Sequence, residues 1–507
     1  MRLTDLMASR TEIAVSALAL ERDPEITGLT ADSRAVKPGM LFAAMPGSAR
    51  DGRDFIPQAV AAGAVAVLAP KGTTLPENLP HPVSLIEDAN PRRRFALLAA
   101  AFYKRQPATI AAVTGTNGKT STAQFTRQMW SLQGYQAGAM GTLGLIAPGF
   151  PREDSLTTPD PVALHSTLSR LAEGGVTHLA MEASSHGLDQ FRLDGVLVTV
   201  GGFTNLTRDH LDYHGTMEAY FKAKAMLFDR VMPRGATAVV NADIPEFQAL
   251  ADLVRARKQT LIGFGEQGRD LAVKALRPLP QGQALTLEVM GARHDIVLPL
   301  VGRFQVWNAL CALGMVIGSG AEPQAAAGLL SQLDGVRGRL ELVATLDNGA
   351  AIYVDYAHTP DGLETVLNSL RPHAEGRLSV VFGCGGDRDR GKRPMMGAIA
   401  ARLADRVIVT DDNPRTEIPG AIRAEVLAGC PGATEVDDRA AAIALAIGDL
   451  KAGDVLVIAG KGHEQGQIVG KEVRPFDDAA VARGVLGLAS GMPASGMSAN
   501  GMSGGTA

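Results

Sequence analysis

The stretch Thr114-Gly115-Thr116-Asn117-Gly118-Lys119-Thr120 combines the residue types a phosphate cradle needs. Glycines let backbone N–H groups approach phosphate oxygens, a lysine reaches the β- and γ-phosphates, and a threonine hydroxyl can ligate Mg²⁺. The apolar run Ile110-Ala111-Ala112-Val113 precedes it and a helical pattern from Ser121 to Leu132 follows. A buried strand must therefore turn into a helix at this point. Val113 stands where a full P-loop has glycine, so the match covers the second half of that motif. The chemistry expected is nucleotide binding, with Gly115 to Ser121 as its contacts.

Other loops carry groups suited to the same reaction centre. Glu182 ends the apolar run from Thr177 and is followed by Ala183-Ser184-Ser185-His186-Gly187. A carboxylate opposite a phosphate loop is the usual place for a Mg²⁺ ligand. Asn205 to Gly215 packs Asp, His and Arg densely, and His210 between Asp209 and Asp212 reads as a second-cation site. Lys222 and Lys224 fall in a helical stretch, Met217 to Phe228, where periodicity alone assigns them to a solvated face. Further on, Asp355-Tyr356-Ala357-His358, Gly383 to Arg393, Asp411 to Arg415 and Gly460 to Glu464 each follow a candidate strand. Polar loops at one edge of one sheet predict a second site for a charged small molecule. A carboxylate is the natural guess, because an arginine fork binds it bidentately.

The elements that must position these groups are those of an α/β protein. About ninety N-terminal residues form a small α/β unit, whose loops Thr30 to Arg34 and Pro46 to Arg53 hold donors and acceptors for a polar ligand. Repeated βα units follow from 91, a hinge is expected at Gly335 to Arg339, and a third unit with a parallel sheet lies beyond it. The tail from about Ala489 is Gly, Ser, Met and Ala without periodicity, and is expected to be disordered. At 507 residues the chain is too long for one hydrophobic core. A net charge of −4 and 5% aromatic residues argue against nucleic acid as a partner. Three widely spaced cysteines give neither a disulfide framework nor a zinc pattern, so a reducing cytoplasm is expected. Nothing approaches the ~20 apolar residues of a membrane span, so no membrane insertion is expected.

Taken together these residues resemble the Mur ligase family, from about Asp32 to Arg474. Thr114 to Thr120, Met181 to His186, Thr207 to Asp212 and Gly460 to Glu464 are the most specific pieces. The resemblance implies a three-domain architecture with a P-loop-type central ATPase domain and a Rossmann-like C-terminal domain. The domains would span 1–90, 91–335 and 336–488, and bind UDP-sugar, ATP and amino acid in turn. The implied activity is ATP-dependent amide-bond formation in cytoplasmic peptidoglycan precursor synthesis, by a monomer. A carboxylate of UDP-N-acetylmuramoyl-L-Ala-D-Glu attacks the γ-phosphate, and an amine then displaces phosphate from the acyl phosphate.

By the same resemblance Lys119, Glu182, His210 and Lys224 are catalytic. Lys224 stands where the family carries a carbamylated lysine, which holds Mg²⁺ together with Thr120, Glu182 and His210. Asn308, Arg339 and Asp355 would join the ATP contacts. Ser33, the Ser48-Ala49-Arg50 loop, Thr157, Thr158, Ser184, Gln190 and Arg192 match positions for the UDP-sugar dipeptide. Arg388, Asp412, Asn413, Pro414, Arg415, Gly460 and Glu464 match the amino-acid pocket. The tetrapeptide Asp412 to Arg415 is similar to that of family members using meso-diaminopimelate, whose second carboxylate would meet Arg415. A folylpolyglutamate synthase shares the ATP chemistry but not that tetrapeptide, and a P-loop switch protein leaves the cationic loops unexplained.

Overall fold

The computed structural model describes residues 1–8, 22–47, 50–152 and 156–488. Ser48, Ala49 and the tail from 489 lie outside the described residues, and with them the expectations placed there. The chain forms two compact units.

The first unit comprises Met1–Ala272 with Val289–Gly291 and Asn308–Ala327. It opens with a parallel sheet of β1 (Gly28–Thr30), β2 (Met40–Ala43), β3 (Ala66–Pro70) and β4 (Ser84–Asp88), in that order. Side chains alternate across its faces as the period of two requires. Leu41, Ala43, Ala66 and Leu68 pack with Phe95 and Leu98 of the helix Pro91–Tyr103, while Phe42 and Val67 pack with Ile56 and Val60 of the helix Ile56–Ala61.

A second sheet carries β5 (Thr109–Thr114), β6 (Ala137–Gly141), β7 (Gly144–Ile146), β8 (His178–Glu182), β9 (Val200–Phe203), β10 (Thr237–Asn241) and β11 (Thr260–Gly265). The order is β11-β10-β9-β5-β8-β6-β7, parallel except for the antiparallel β6/β7 edge. β5 is buried along nearly its whole length because helices cover both faces of a parallel sheet. The chain leaves β5 towards β8 and β6 on one side and reaches β9 on the other. The loops after β5, β8 and β9 therefore converge where such sheets bind ligands.

The second unit comprises Val273–Glu288, Ala292–Trp307 and the chain from 328. Its main sheet has β15 (Glu341–Thr345), β16 (Ala351–Asp355), β17 (Leu378–Phe382), β18 (Arg406–Val409), β19 (Thr434–Glu435) and β20 (Val455–Ala459), ordered β15-β16-β20-β17-β18-β19. The sheet is mixed, not wholly parallel, because β15 pairs antiparallel with β16. Strands β12 (Leu271–Leu279), β13 (Gly282–Val289) and β14 (Ala292–Leu298) lie side by side. No apolar run marks them, since β13 buries every second residue from Gln283 to Val289 and β14 buries Leu298 alone. Among the described residues no helix is long and apolar enough to cross a membrane.

Candidate active site

The glycine loop is shaped by contacts a side chain would forbid. Gly118 sits at φ +85°, and a Cβ there would lie 2.1 Å from Asn308 Oδ1. At Gly115 a Cβ would lie 1.9 Å from Thr204 Oγ1. The loop after β9 clasps it from the side. Thr116 N donates to the Asn205 carbonyl at 2.9 Å, Asn117 N to Asn205 Oδ1 at 2.9 Å, and Thr207 N to Thr116 Oγ1 at 3.0 Å. The helix Lys119–Leu132 starts directly after the loop, so its unsatisfied N–H groups and positive end face that turn. Lys119 Nζ rests on the carbonyls of Gly115 and Thr116, at 2.9 and 2.8 Å, and must release them to reach a phosphate. We expect Gly118→Ala to weaken ATP binding about tenfold, near 1.4 kcal/mol, by calorimetry with a non-hydrolysable analogue. Unchanged affinity would mean that the phosphates do not use this turn.

Glu182 is 2% exposed at the end of β8. Its carboxylate accepts from Thr120 Oγ1 at 2.9 Å, Thr142 N at 2.8 Å and Thr142 Oγ1 at 3.2 Å. All three donors are neutral hydroxyl or amide groups. That donor set, a carboxylate bonded to the loop threonine, fits a Mg²⁺ ion. No group of three or more His, Cys, Asp or Glu among the described residues converges as a metal site, so further ligands must come from other residue types, water or substrate. No hydrogen bond among the described residues joins His210 to this pair; its Nε2 lies 3.5 Å from Asp209 and its ring 5.0 Å from that of His186. Its φ of +51° marks the turn that begins the short helix Leu211–His214.

Lys222 and Lys224 separate completely. Lys222 is exposed and pairs with Glu218 at 2.7 Å. Lys224 is 1% exposed, donates to the Gly115 carbonyl at 2.7 Å and lies 4.3 Å from the centre of the Tyr220 ring. Burial, reinforced by the neighbouring Lys119 ammonium, lowers its pKa to about 6. The solvated-face reading thus holds for Lys222 and fails for Lys224.

Behind Glu182 a hydroxyl cluster forms around Thr158. Its Oγ1 donates to the Glu182 carbonyl at 3.0 Å and accepts from Ser184 N and Oγ, both at 3.0 Å. Arg192 donates to the Thr158 carbonyl and to Gln190 Oε1, both at 2.7 Å, and Thr157 Oγ1 lies 3.2 Å from Thr142 Oγ1. Thr157, Thr158, Ser184, Gln190 and Arg192 are thus one connected group. Ser33 donates instead to Gln58 Oε1, at 3.4 Å, on the helix Ile56–Ala61. Thr142 and Thr204, isolated hydroxyls in unremarked positions, had no pattern by which to be found.

In the second unit the loops after β16, β17, β18 and β20 meet at one sheet edge. Asn413 Nδ2 donates to Glu464 Oε2 at 3.0 Å, Lys461 Nζ donates to Asn413 Oδ1 at 2.9 Å, and Arg415 Nη1 donates to the Gly386 carbonyl at 2.8 Å. Gly460, at φ +116°, allows Asp412 to come within 2.6 Å of where a Cβ would be. Arg388 is exposed and bonds the Asp387 carbonyl at 3.0 Å. The buried Arg393 braces the two cationic loops by pairing with Glu417 and Glu425. Asp355, pushed up by burial, accepts from Leu340 N and Ala357 N at 2.7 and 2.8 Å. The Arg339 guanidinium lies 4.7 Å over the Tyr356 ring. Lys461, quoted in its loop but given no role from sequence, is central to this group.

Comparison with known proteins finds matches to the Mur ligase family catalytic domain over 25–103, the Mur ligase middle domain over 113–316, and the Mur ligase glutamate ligase domain over 338–462. A protein of Caulobacter vibrioides named UDP-N-acetylmuramoyl-L-alanyl-D-glutamate--2,6-diaminopimelate ligase is 54% identical over 464 residues, 90% of this chain and 95% of that one. A protein of Mesorhizobium japonicum with the same name is 52% identical, covering 92% and 95%. A solved structure of a ligase of that name superimposes with a TM-score of 0.69 at 34% identity, covering 91% and 95%.

Proposed function

The chain belongs to the Mur ligase family, and on that premise we propose that it joins meso-diaminopimelate to the D-Glu carboxylate of UDP-N-acetylmuramoyl-L-Ala-D-Glu at the expense of ATP. It is an ATP-dependent, amide-bond-forming ligase of peptidoglycan precursor synthesis. The observation that carries the choice of amino acid is the pocket built on Asp412 to Arg415, where Asp412 and Glu464 lie about Lys461 while the Arg415 fork rests on the Gly386 carbonyl. A diamino acid with two carboxylates matches that pattern of charge. The nucleotide-linked substrate makes the cytoplasm the compartment we infer. The partition into 1–90, 91–335 and 336–488 is our functional division, supported by the three family matches.

The reaction must bring an anionic carboxylate to an anionic phosphate. Lys119, freed from its carbonyl contacts, would neutralise the transferring phosphoryl group. Gly115 to Ser121 would hold the phosphates, with Asn308, Arg339 and Asp355 as further ATP contacts. Mg²⁺ held by Thr120, Glu182 and a carbamylated Lys224 would supply charge neutralisation for both oxygens, with His210 joining them only if its turn moves towards Glu182. Thr157, Thr158, Ser184, Gln190, Arg192 and Ser33 would orient the UDP-sugar dipeptide. The carboxylate then attacks the γ-phosphorus, ADP leaves, and the acyl phosphate is open to the amine. The amine attacks the acyl carbon, loses a proton, and phosphate departs as the amide forms.

Phosphate release from Mg²⁺-ATP and the UDP-dipeptide tests the reading, comparing meso-diaminopimelate, L-lysine and no amino acid. Release with diaminopimelate alone is expected. Release with lysine instead would overturn the amino-acid assignment, and release with neither would turn the protein into a nucleotide switch.

A further inference from the structure

Lys461 has no exposed surface, yet its ammonium lies in the middle of the amino-acid pocket. Its Nζ donates to Asn413 Oδ1 at 2.9 Å and to the Gly466 carbonyl at 2.7 Å. The carboxylates of Asp412 and Glu464 lie 3.8 and 3.7 Å away. Burying an ammonium is costly unless hydrogen bonds and opposite charge offset the lost water, and this site provides both.

The bonding has a direction. Asn413 Oδ1 is taken by Lys461 and by Ile468 N at 2.9 Å, so the amide nitrogen must point the other way. There it donates to Glu464 Oε2 at 3.0 Å. The ammonium thus fixes the Asn413 amide, and the amide fixes the Glu464 carboxylate. The other buried cation nearby, Arg439, is bonded to both oxygens of Asp478 at 2.7 Å and to the Ala459 carbonyl, so its charge is already matched. Lys461 is left to balance Asp412 and Glu464.

We propose that Lys461 is a positioning residue that sets affinity for the incoming amino acid without touching it. Its ammonium lies within 4 Å of both the Asp412 and Glu464 carboxylates, and they form the acidic wall that receives the substrate's ammonium group. Without it, the two carboxylates would be left with no ammonium between them. The inference rests on the reading of this pocket as the amino-acid site.

The test varies each substrate in turn for the whole protein and for Lys461→Met. We expect KM for meso-diaminopimelate to rise on the order of tenfold or more, the effect of losing a charged hydrogen-bonding centre. KM for ATP and for the UDP-dipeptide, and kcat at saturating diaminopimelate, should stay close to wild type. Adding Asp412→Asn to Lys461→Met should cost less than its effect in the wild-type background, because the lone carboxylate no longer repels its neighbour. Parallel rises in all three KM values, or a loss in kcat with KM for diaminopimelate unchanged, would overturn the proposal, as would additive behaviour of the double variant. Should Lys461→Met not fold, Lys461→Gln keeps N–H donors without charge and decides by the same comparison. If the wild-type protein releases no phosphate with diaminopimelate, it is the proposed reaction that fails, before any variant is read.

Discussion

Lys224→Met should lower kcat about 10³-fold, the scale of removing one preorganised charge from a transition state, with ATP binding largely retained. The reason lies with the Lys224 amine. It is 1% exposed, 2.7 Å from the Gly115 carbonyl, and near a second ammonium, Lys119. Two cations at the floor of a phosphate loop are poorly placed to hold a third, so a protonated Lys224 would oppose Mg²⁺. Burial and Lys119 lower its pKa to about 6, so the free amine predominates at neutral pH.

A free amine can attack CO₂. The new N–C bond forms, one N–H proton goes to solvent, and the product is a carbamate of charge −1. The charge at this position would then change sign, from one that opposes a metal ion to one that could help hold it. Lys224→Arg separates charge from chemistry, because it keeps a cation that cannot be carbamylated, and it should be as inactive as Lys224→Met. Labelling with ¹³C-bicarbonate should increase as pH rises through about 6, where the amine loses its proton. The stability of the unmodified protein follows the same proton. The folded pKa lies below the ordinary lysine value of 10.5, so the unfolded chain binds more protons between the two values. Stability should therefore increase with pH across that window and fall as pH drops towards about 6. Full activity in Lys224→Arg would remove carbamylation from the mechanism.

What sequence could and could not reveal divides along physical lines. The glycine loop is legible because its chemistry is local: backbone N–H groups, a lysine and a threonine act within one turn. Glu182 is legible because a carboxylate closing an apolar strand is conspicuous. The two helix lysines are harder. Positions 222 and 224 stand about 200° apart on a helix of 3.6 residues per turn, so they cannot both be solvated when one face packs inward. Which one turns in depends on what the helix packs against, here the Gly115 carbonyl from another segment. Lys461 shows the same limit, since a Gly-Lys-Gly loop carries no mark of burial until Asn413 and Asp412 arrive from another strand. Strands β13 and β14 carry no apolar run, because strands partly open to solvent alternate polar and apolar residues.

Arg415→Ala should lower kcat/KM for meso-diaminopimelate about 10³-fold, a few kcal/mol, while hardly changing any slow turnover of L-lysine. The backbone explains why this arginine can discriminate. Arg415 N donates to the Ile468 carbonyl at 3.0 Å, and its own carbonyl accepts from Gly470 N at 2.7 Å. The residue is thereby held at φ +51°, a conformation costly for any side-chain-bearing residue. Nη1 is fixed on the Gly386 carbonyl, and a Cβ at Gly385 would come within 2.8 Å of it. The fork is therefore aimed before substrate arrives, and no described carboxylate pairs with it. The second carboxylate of diaminopimelate can take that place, whereas L-lysine has no group to offer. Alanine at this position would alter packing as well as charge, so Arg415→Lys is the sharper comparison. It keeps the Cβ, the left-handed backbone and a positive charge, and loses only the planar fork. A loss for diaminopimelate in Arg415→Lys, measured against constant KM for ATP, would assign the discrimination to bidentate recognition. Equal use of diaminopimelate by wild type and both variants would place its second carboxylate elsewhere in the pocket.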